Sequence, residues 1–97
     1  MDGFWFDPKH GGCLRRIVRV DATTYHVRGV YGDDEAIAPG QPWTAVITRS
    51  DGCYRVDFAG KPTKKTRFLT VRHRGRRLVW CDGHVWRRMY LHAGQLR

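Results

Sequence analysis

The sequence predicts an all-β fold, a small up-and-down antiparallel β-barrel of seven or eight strands. Two observations predict it. Short runs rich in Val, Thr, Tyr, Phe and Trp alternate with turn dipeptides, and no capped segment shows the 3.6-residue period of a helix. The 97 residues suit one domain, spanning residues 1–97. Closure into a barrel is expected because it leaves no exposed sheet edge.

The elements follow one another as hairpins whose turns set which residues lie opposite. A short strand at residues 4–6 precedes two strands joined at Ala22-Thr23, and this turn places Val18 opposite Val27. The apolar residues then share one face, as a correct register requires. A long loop at residues 32–42, rich in acidic residues, follows.

The second half of the chain holds the other predicted hairpins. Asp51-Gly52 is a stronger turn dipeptide than Ala22-Thr23, and it places Ile47 opposite Val56. A shorter basic loop then leads to the last three strands. A turn at Arg74-Gly75 joins the first two of them and is expected to place Val71 opposite Leu78. A turn at Asp82-Gly83 joins the last two and is expected to place Leu78 opposite Arg87.

The four registers agree on which side chains face the barrel axis. These side chains form the core or line a cavity. Besides smaller aliphatic residues, the inward set is expected to contain Trp5, Tyr25, Trp43, Tyr54, Phe58, Trp80 and Arg87.

A resemblance follows from the two ends of the chain. Gly3-Phe4-Trp5 lies on the first strand, and Arg87 on the last strand points to the apolar face. These residues resemble the lipocalin and calycin arrangement, in which a Gly-x-Trp is covered by an Arg from near the end of the barrel. The resemblance implies a cavity open at one end for a small apolar ligand. A core Trp with an Arg laid over it by cation–π packing is the alternative interpretation.

Two mirrored His/Cys pairs form a candidate metal site, because tetrahedral zinc takes such ligands from chelating pairs across tight turns. The candidate ligands are His10, Cys13, Cys81 and His84. The site would join the first and last strands. The alternative interpretation gives Cys81 a small apolar role and leaves His84 as a solvated turn residue. Zinc is the one cofactor that the sequence suggests.

The charge is distributed unevenly along the chain. The net charge is +9, yet residues 1–48 carry five Lys/Arg against six Asp/Glu, while residues 49–97 carry thirteen against three. Eight basic residues and no acidic ones lie between Lys61 and Arg77. A field of one sign favours an acidic partner, such as nucleic acid, an anionic membrane surface or an acidic protein, and does not choose among them.

The predicted outer face of the last strands carries arginines interleaved with aromatic residues. Such a face holds single-stranded nucleic acid by stacking on bases and pairing with phosphates. The candidate partner-binding residues are Phe68, Arg72, Arg77, Trp86, Arg88 and Tyr90. Trp86 and Tyr90 would be the stacking platforms. Cover by a loop, a terminus or a second subunit is the alternative interpretation.

The sequence therefore favours a non-enzymatic binding module whose basic face contacts an acidic partner such as RNA or single-stranded DNA. A calycin-like carrier of a small apolar ligand and a structural protein that forms homo-oligomers stay open. No nucleophile elbow, Walker loop or dinucleotide fingerprint occurs, so no catalytic residue is predicted. Three cysteines without a signal segment predict a cytoplasmic location. Membrane insertion is not expected, because no apolar run approaches roughly 18 residues.

Overall fold

The computed structural model describes residues 1–10, 14–31, 40–61 and 64–89. These residues form eight strands and a short 3-10 helix at Pro8–His10. The strands are β1 (Gly3–Phe6), β2 (Leu14–Arg19), β3 (Thr24–Val30), β4 (Pro42–Ser50), β5 (Cys53–Asp57), β6 (Phe68–Arg74), β7 (Arg77–Trp80) and β8 (Val85–Met89). Within the described ranges, no helix is long and apolar enough to span a lipid bilayer.

The eight strands form a closed antiparallel barrel in sequence order. Each strand pairs with its neighbour along the chain, and β1 closes the barrel by pairing with β8. The predicted up-and-down barrel is thereby confirmed. Closure pairs both edges of the sheet, so every strand has two hydrogen-bonded neighbours.

Alternation along the strands fills the barrel with apolar side chains. In β4, for example, Trp43, Ala45 and Ile47 point inward while the residues between them are exposed. Burial of these surfaces is the main favourable term in folding. The buried hydrophobic set is Trp5, Ile17, Tyr25, Val27, Tyr31, Trp43, Ala45, Ile47, Val56, Phe58, Leu69, Val71, Leu78, Trp80 and Trp86.

The β4–β5 register is confirmed. Ile47 lies opposite Val56, and the turn residues Asp51 and Gly52 have φ angles of 48° and 77°. Two positive φ values are what a type I′ hairpin turn requires. Asp-Gly therefore sets this register through its backbone preference alone.

The β6–β7 turn lies one residue further along than expected. It consists of Gly75 and Arg76, so Val71 lies opposite Trp80 rather than Leu78. Gly75 has a φ of 60° and occupies the first central position of the turn, where glycine is preferred in type II′. The pairing changes by two residues, so the inward and outward faces stay as predicted.

The predicted β2–β3 register is wrong by one residue. Ile17, not Val18, lies opposite Val27. The Asp21 carboxylate accepts a hydrogen bond of 2.9 Å from the backbone N–H of Thr23, which gives a connection of three residues, 21–23, instead of two. Ile17 consequently faces the core, while Val18 lies outside and is 42% exposed.

The β7–β8 register is also wrong by one residue, for the same reason. The Asp82 carboxylate accepts a hydrogen bond of 3.1 Å from the backbone N–H of His84, and the connection again has three residues, 81–83. Leu78 therefore lies opposite Trp86 rather than Arg87. Trp86 is inside, only 5% exposed, and Arg87 is outside.

Gly29 has no side chain, which lets the Trp43 ring pack directly against the inner wall of the barrel. A Cβ atom at Gly29 would lie 2.3 Å from the Trp43 ring, closer than any real contact.

Gly29→Ala should therefore lower the free energy of unfolding by about 1–3 kcal/mol, because the ring must move in a packed core. Urea denaturation measures this. In a Trp43→Leu background the same substitution should cost little, and an equal cost in both backgrounds would contradict the contact.

Candidate functional site

Three arginines form a row across the outer face of the barrel. Arg74 on β6 lies opposite Arg77 on β7, and Arg77 lies opposite Arg87 on β8. On the next strand, β1, Phe6 lies opposite Arg87. We call Arg74, Arg77 and Arg87 the arginine row. Four adjacent strands thus present three guanidinium groups and one aromatic ring side by side.

The arginine row is exposed, and none of its side chains has a carboxylate partner among the described residues. Like charges directly opposite each other on paired strands are destabilising. Arg67 shows the contrast, because its guanidinium donates hydrogen bonds of 3.0 and 3.2 Å to the Asp57 carboxylate. That pairing lowers the pKa of Asp57 and raises the pKa of Arg67. The row is therefore a concentration of positive charge that the described residues leave uncompensated.

The row continues into a wider surface around β1. Phe4 and Phe6 are half-buried and point outward, because Trp5 between them points inward. On the side of β1 away from the row, Phe4 lies opposite Arg16, and the Arg16 guanidinium is 5.7 Å from the centre of the Phe4 ring. Arg16 in turn lies opposite Arg28. We call Phe4, Phe6, Arg16, Arg28 and the arginine row the basic-aromatic face, a band that follows the outer wall of the barrel from β6 through β8 and β1 to β3.

A groove of about 330 Å³ lies on the part of this face around Phe6, Arg77 and Arg87. Its walls include Phe6, Arg77 and Arg87, with Arg76 and Arg88 at the β6–β7 end. Cations and an aromatic ring thus share one concave surface. Such a lining suits a ligand that combines negative charge with flat apolar groups.

The predicted partner-binding residues divide into three groups. Phe68, Arg72 and Arg77 lie on the outside, as expected. The outward placements of Trp86 and Arg88 are wrong, because the β8 register buries Trp86 and turns Arg88 toward the interior. Tyr90 lies outside the described residues. Their binding role stays a prediction.

Sequence reasoning missed the two aromatic residues at the centre of the face. The signal was present in the first strand, because an inward Trp5 forces Phe4 and Phe6 outward. It also missed Arg74, whose place in the row depends on the turn at Gly75 and Arg76. The expected face was therefore centred on the wrong strands.

One end of the barrel is closed around Trp5, which is fully buried. Its indole N–H donates a hydrogen bond of 2.9 Å to the Met1 carbonyl. The Arg88 guanidinium lies 5.6 Å from the ring centre and donates a hydrogen bond to the Asp2 carbonyl. The prediction that Arg87 covers Trp5 is wrong. Arg88 does so, because of the same one-residue change of register in β8.

The other end is filled by a cluster of aromatic rings. The Trp80 ring lies 4.6 Å from that of Trp86 and 5.5 Å from that of Phe58, between ring centres. Trp43 lies 6.5 Å from Trp86. The predicted inward positions of Tyr25, Trp43, Phe58 and Trp80 are confirmed by their burial, and Tyr54 is half-buried against the same core. A cavity of about 40 Å³ lies at this end.

The described zinc candidates have separate hydrogen-bond partners. The Cys81 Sγ accepts a hydrogen bond of 3.4 Å from the Thr70 N–H, and the Nδ1 atom of His84 lies 2.9 Å from an Asp7 carboxylate oxygen. Within the described ranges no three His, Cys, Asp or Glu side chains are placed to hold a metal. Cys13 and the His10 side chain lie outside what the structure describes, so the four-ligand zinc site stays a prediction.

Comparison of the chain with protein-family models, with curated proteins and with solved structures finds no match.

His73 at the closed end should make stability depend on pH. Its ring packs edge-on against Trp5 at 5.8 Å, and its Nε2 atom lies 2.8 Å from the Gly75 carbonyl oxygen. Desolvation lowers its pKa below 6.5, the positive charges of the Met1 amino group and Arg88 add to this, and the Gly75 carbonyl opposes it. Unfolded His73 therefore binds more protons, and stability should fall as the pH drops from about 6.5 through the folded-state pKa.

Urea denaturation at about pH 7 and about pH 5.5 would measure this effect above the range where carboxylates titrate. His73→Gln should remove part of the loss of stability, whereas His26→Gln, at an exposed position on β3, should keep it. An unchanged pH dependence in His73→Gln would show that this ring is not the group responsible.

Proposed function

We propose that this chain is a non-enzymatic binding module whose basic-aromatic face holds single-stranded nucleic acid, either RNA or DNA. The observation that carries the proposal is the arginine row beside Phe6, uncompensated by any carboxylate of the described residues. A bound phosphate backbone would neutralise the repulsion within the row. The cost of placing like charges opposite one another would then be offset in the complex.

The geometry of the row suits a flexible polyanion. Neighbouring strands lie about 4.8 Å apart, so the row spans about 10 Å across three strands. Successive phosphates of an extended strand can follow such a line of cations. Because the positions are fixed by backbone pairing, the row loses little conformational freedom in its main chain on binding.

The aromatic residues favour a single strand over an acidic protein. Phe4 and Phe6 point outward between arginines on both sides of β1. Unstacked bases can lie against such rings, and each stacked base contributes about 1–3 kcal/mol. An acidic protein would use the cations without needing these rings. The side-by-side arrangement of rings and guanidinium groups therefore supports nucleic acid as the partner.

The calycin-like carrier has less support. The pairing of Trp5 with Arg88 resembles that family's arrangement, but a carrier of an apolar ligand needs a hollow interior. Trp43, Phe58 and Trp80 occupy the interior at the end where such a ligand would enter. The cavity of about 40 Å³ at that end is far below the roughly 300 Å³ of ordinary ligand pockets.

Self-association is the second candidate function, and one observation favours it. Exposed apolar side chains lie on the outer face of β2, β3 and β4, where Val18, His26 and Val46 form one row across the strands. Val18 is 42% exposed and Val46 is 38% exposed. A row of this kind suits contact with a second copy. It lies away from the arginine row but beside Arg16 and Arg28 of the basic-aromatic face.

The nucleic-acid proposal predicts a specific change in salt dependence. The double variant Arg77→Gln, Arg87→Gln should bind a short mixed-sequence oligonucleotide more weakly. The slope of log affinity against log salt should decrease in magnitude by about 1.4, or about 0.7 for each lost phosphate contact. Fluorescence anisotropy with a labelled single strand measures both quantities. The change reports on phosphate contacts rather than on overall charge.

A matched control is the double variant Arg49→Gln, Lys65→Gln, which removes the same charge from exposed positions outside the face. It should keep the wild-type slope. Equal slopes in both double variants, or no binding at low salt, would contradict the proposal. Polyglutamate serves as a competitor in the same assay. If it displaces the labelled strand as strongly as an unlabelled oligonucleotide does, the partner is an acidic protein.

A further inference from the structure

The basic-aromatic face has cations at both of its ends. At one end lies the arginine row on β6, β7 and β8. At the other end Arg16 on β2 lies directly opposite Arg28 on β3. We call Arg16 and Arg28 the arginine pair. Both side chains are exposed, and neither forms an ion pair with a carboxylate in the described part of the chain. The face therefore offers two separate sites for negative charge.

The surface between the two arginine sites is apolar. Phe4 and Phe6 point outward from β1. Phe6 lies opposite Leu14 on β2, which is 45% exposed, and Phe4 lies opposite the half-buried Met89 on β8. We call Phe4, Phe6, Leu14 and Met89 the central apolar patch. Unpaired bases can lie on such a patch and remove its apolar surface from water.

The face follows the curvature of the closed barrel. It runs across six of the eight strands, from β6 through β7, β8, β1 and β2 to β3. Neighbouring strands lie about 4.8 Å apart, so the path along the wall is about 24 Å long. The outward direction changes from each strand to the next around a closed barrel, so the arginine row and the arginine pair face different sides. A ligand must bend to contact both.

This requirement separates flexible from stiff nucleic acids. The persistence length of duplex DNA is about 50 nm, so a duplex stays nearly straight over the length of this face. It can contact one arginine site and leaves the other empty. A single strand bends at little cost and also presents unpaired bases to the central apolar patch. Only a single strand can therefore use the whole face.

We propose that one single strand occupies the arginine row, the central apolar patch and the arginine pair at the same time, bending around the barrel. This inference rests on the proposed function and adds the arginine pair as a second anchor for the same strand. Because one chain joins the two anchors, binding at the first raises the effective concentration at the second. The curvature of the face then selects single strands over duplexes.

The test compares Arg28→Gln with Arg74→Gln, since these residues lie at opposite ends of the face. Oligothymidylate and oligouridylate of about twelve nucleotides, and a duplex of similar length, are titrated at low salt by fluorescence anisotropy. Each variant should weaken single-strand binding by about fivefold, the effect of one lost phosphate contact. Stoichiometry should be one strand per protein. The wild-type protein should bind the single strands more tightly than the duplex, and Arg28→Gln should reduce this preference.

The matched control is Arg49→Gln, which removes the same charge from an exposed position outside the face. It should keep both the affinities and the preference for single strands. Thermal melting of each variant shows whether the fold is retained, and these exposed substitutions should leave it intact.

Three outcomes would contradict the inference. An Arg28→Gln loss no larger than that of Arg49→Gln would show that the arginine pair is not an anchor. Two strands per protein, with each variant losing only about half of the binding, would show two independent sites. Equal affinity of the wild-type protein for single strand and duplex would show that bending is not required. In each case binding itself would persist and the proposed function would stand. No binding of any of the three nucleic acids would instead overturn the proposed function and this inference together.

Discussion

The pairing of β8 with its two neighbours is the interaction on which the rest of the structure depends. Its register places Trp86 opposite Leu78 in the interior and Arg87 opposite Phe6 on the outside. The next residue, Arg88, then lies over Trp5 and covers the closed end. A shift of one residue would bury the Arg87 guanidinium and expose the Trp86 indole, because side chains alternate between the faces. One register therefore closes the barrel, completes its aromatic core and completes the arginine row.

A filled barrel has consequences for where this protein can act. The aromatic cluster around Trp80 and Trp86 leaves a small polar cavity at one end, and Trp5 closes the other. The outer wall is therefore the largest surface available to a partner. Paired strands hold its arginines and phenylalanines at fixed spacing, whereas a loop would have to be ordered on binding. The proposed function uses this division, because it places a polyanion on the outer wall.

The sequence predicted the closed barrel and most of its core, because the period of two and the turn at Asp51-Gly52 require no tertiary information. It missed two registers where an aspartate side chain accepts a hydrogen bond from the N–H two residues later, at Asp21 and Asp82. Turn prediction from dipeptides ignores hydrogen bonds that side chains accept from the backbone. It therefore predicted two-residue turns where the structure has three-residue connections. Arg15 could not be placed from sequence either, since its burial depends on the distant Trp86 ring. The sequence predicted an outer face of arginines and aromatic residues, but it centred that face on the last strands and omitted Phe4 and Phe6 on β1.

The central claim is that the basic-aromatic face is the binding surface, and a map of amide chemical shifts tests it most directly. A single-stranded oligonucleotide is added at low salt to the isotopically labelled protein. We expect the largest changes at Phe4, Phe6 and the arginine row, with smaller ones at Arg16 and Arg28. Changes confined to exposed positions outside the face, such as Arg49 and Lys65, or no changes at all, would contradict the claim.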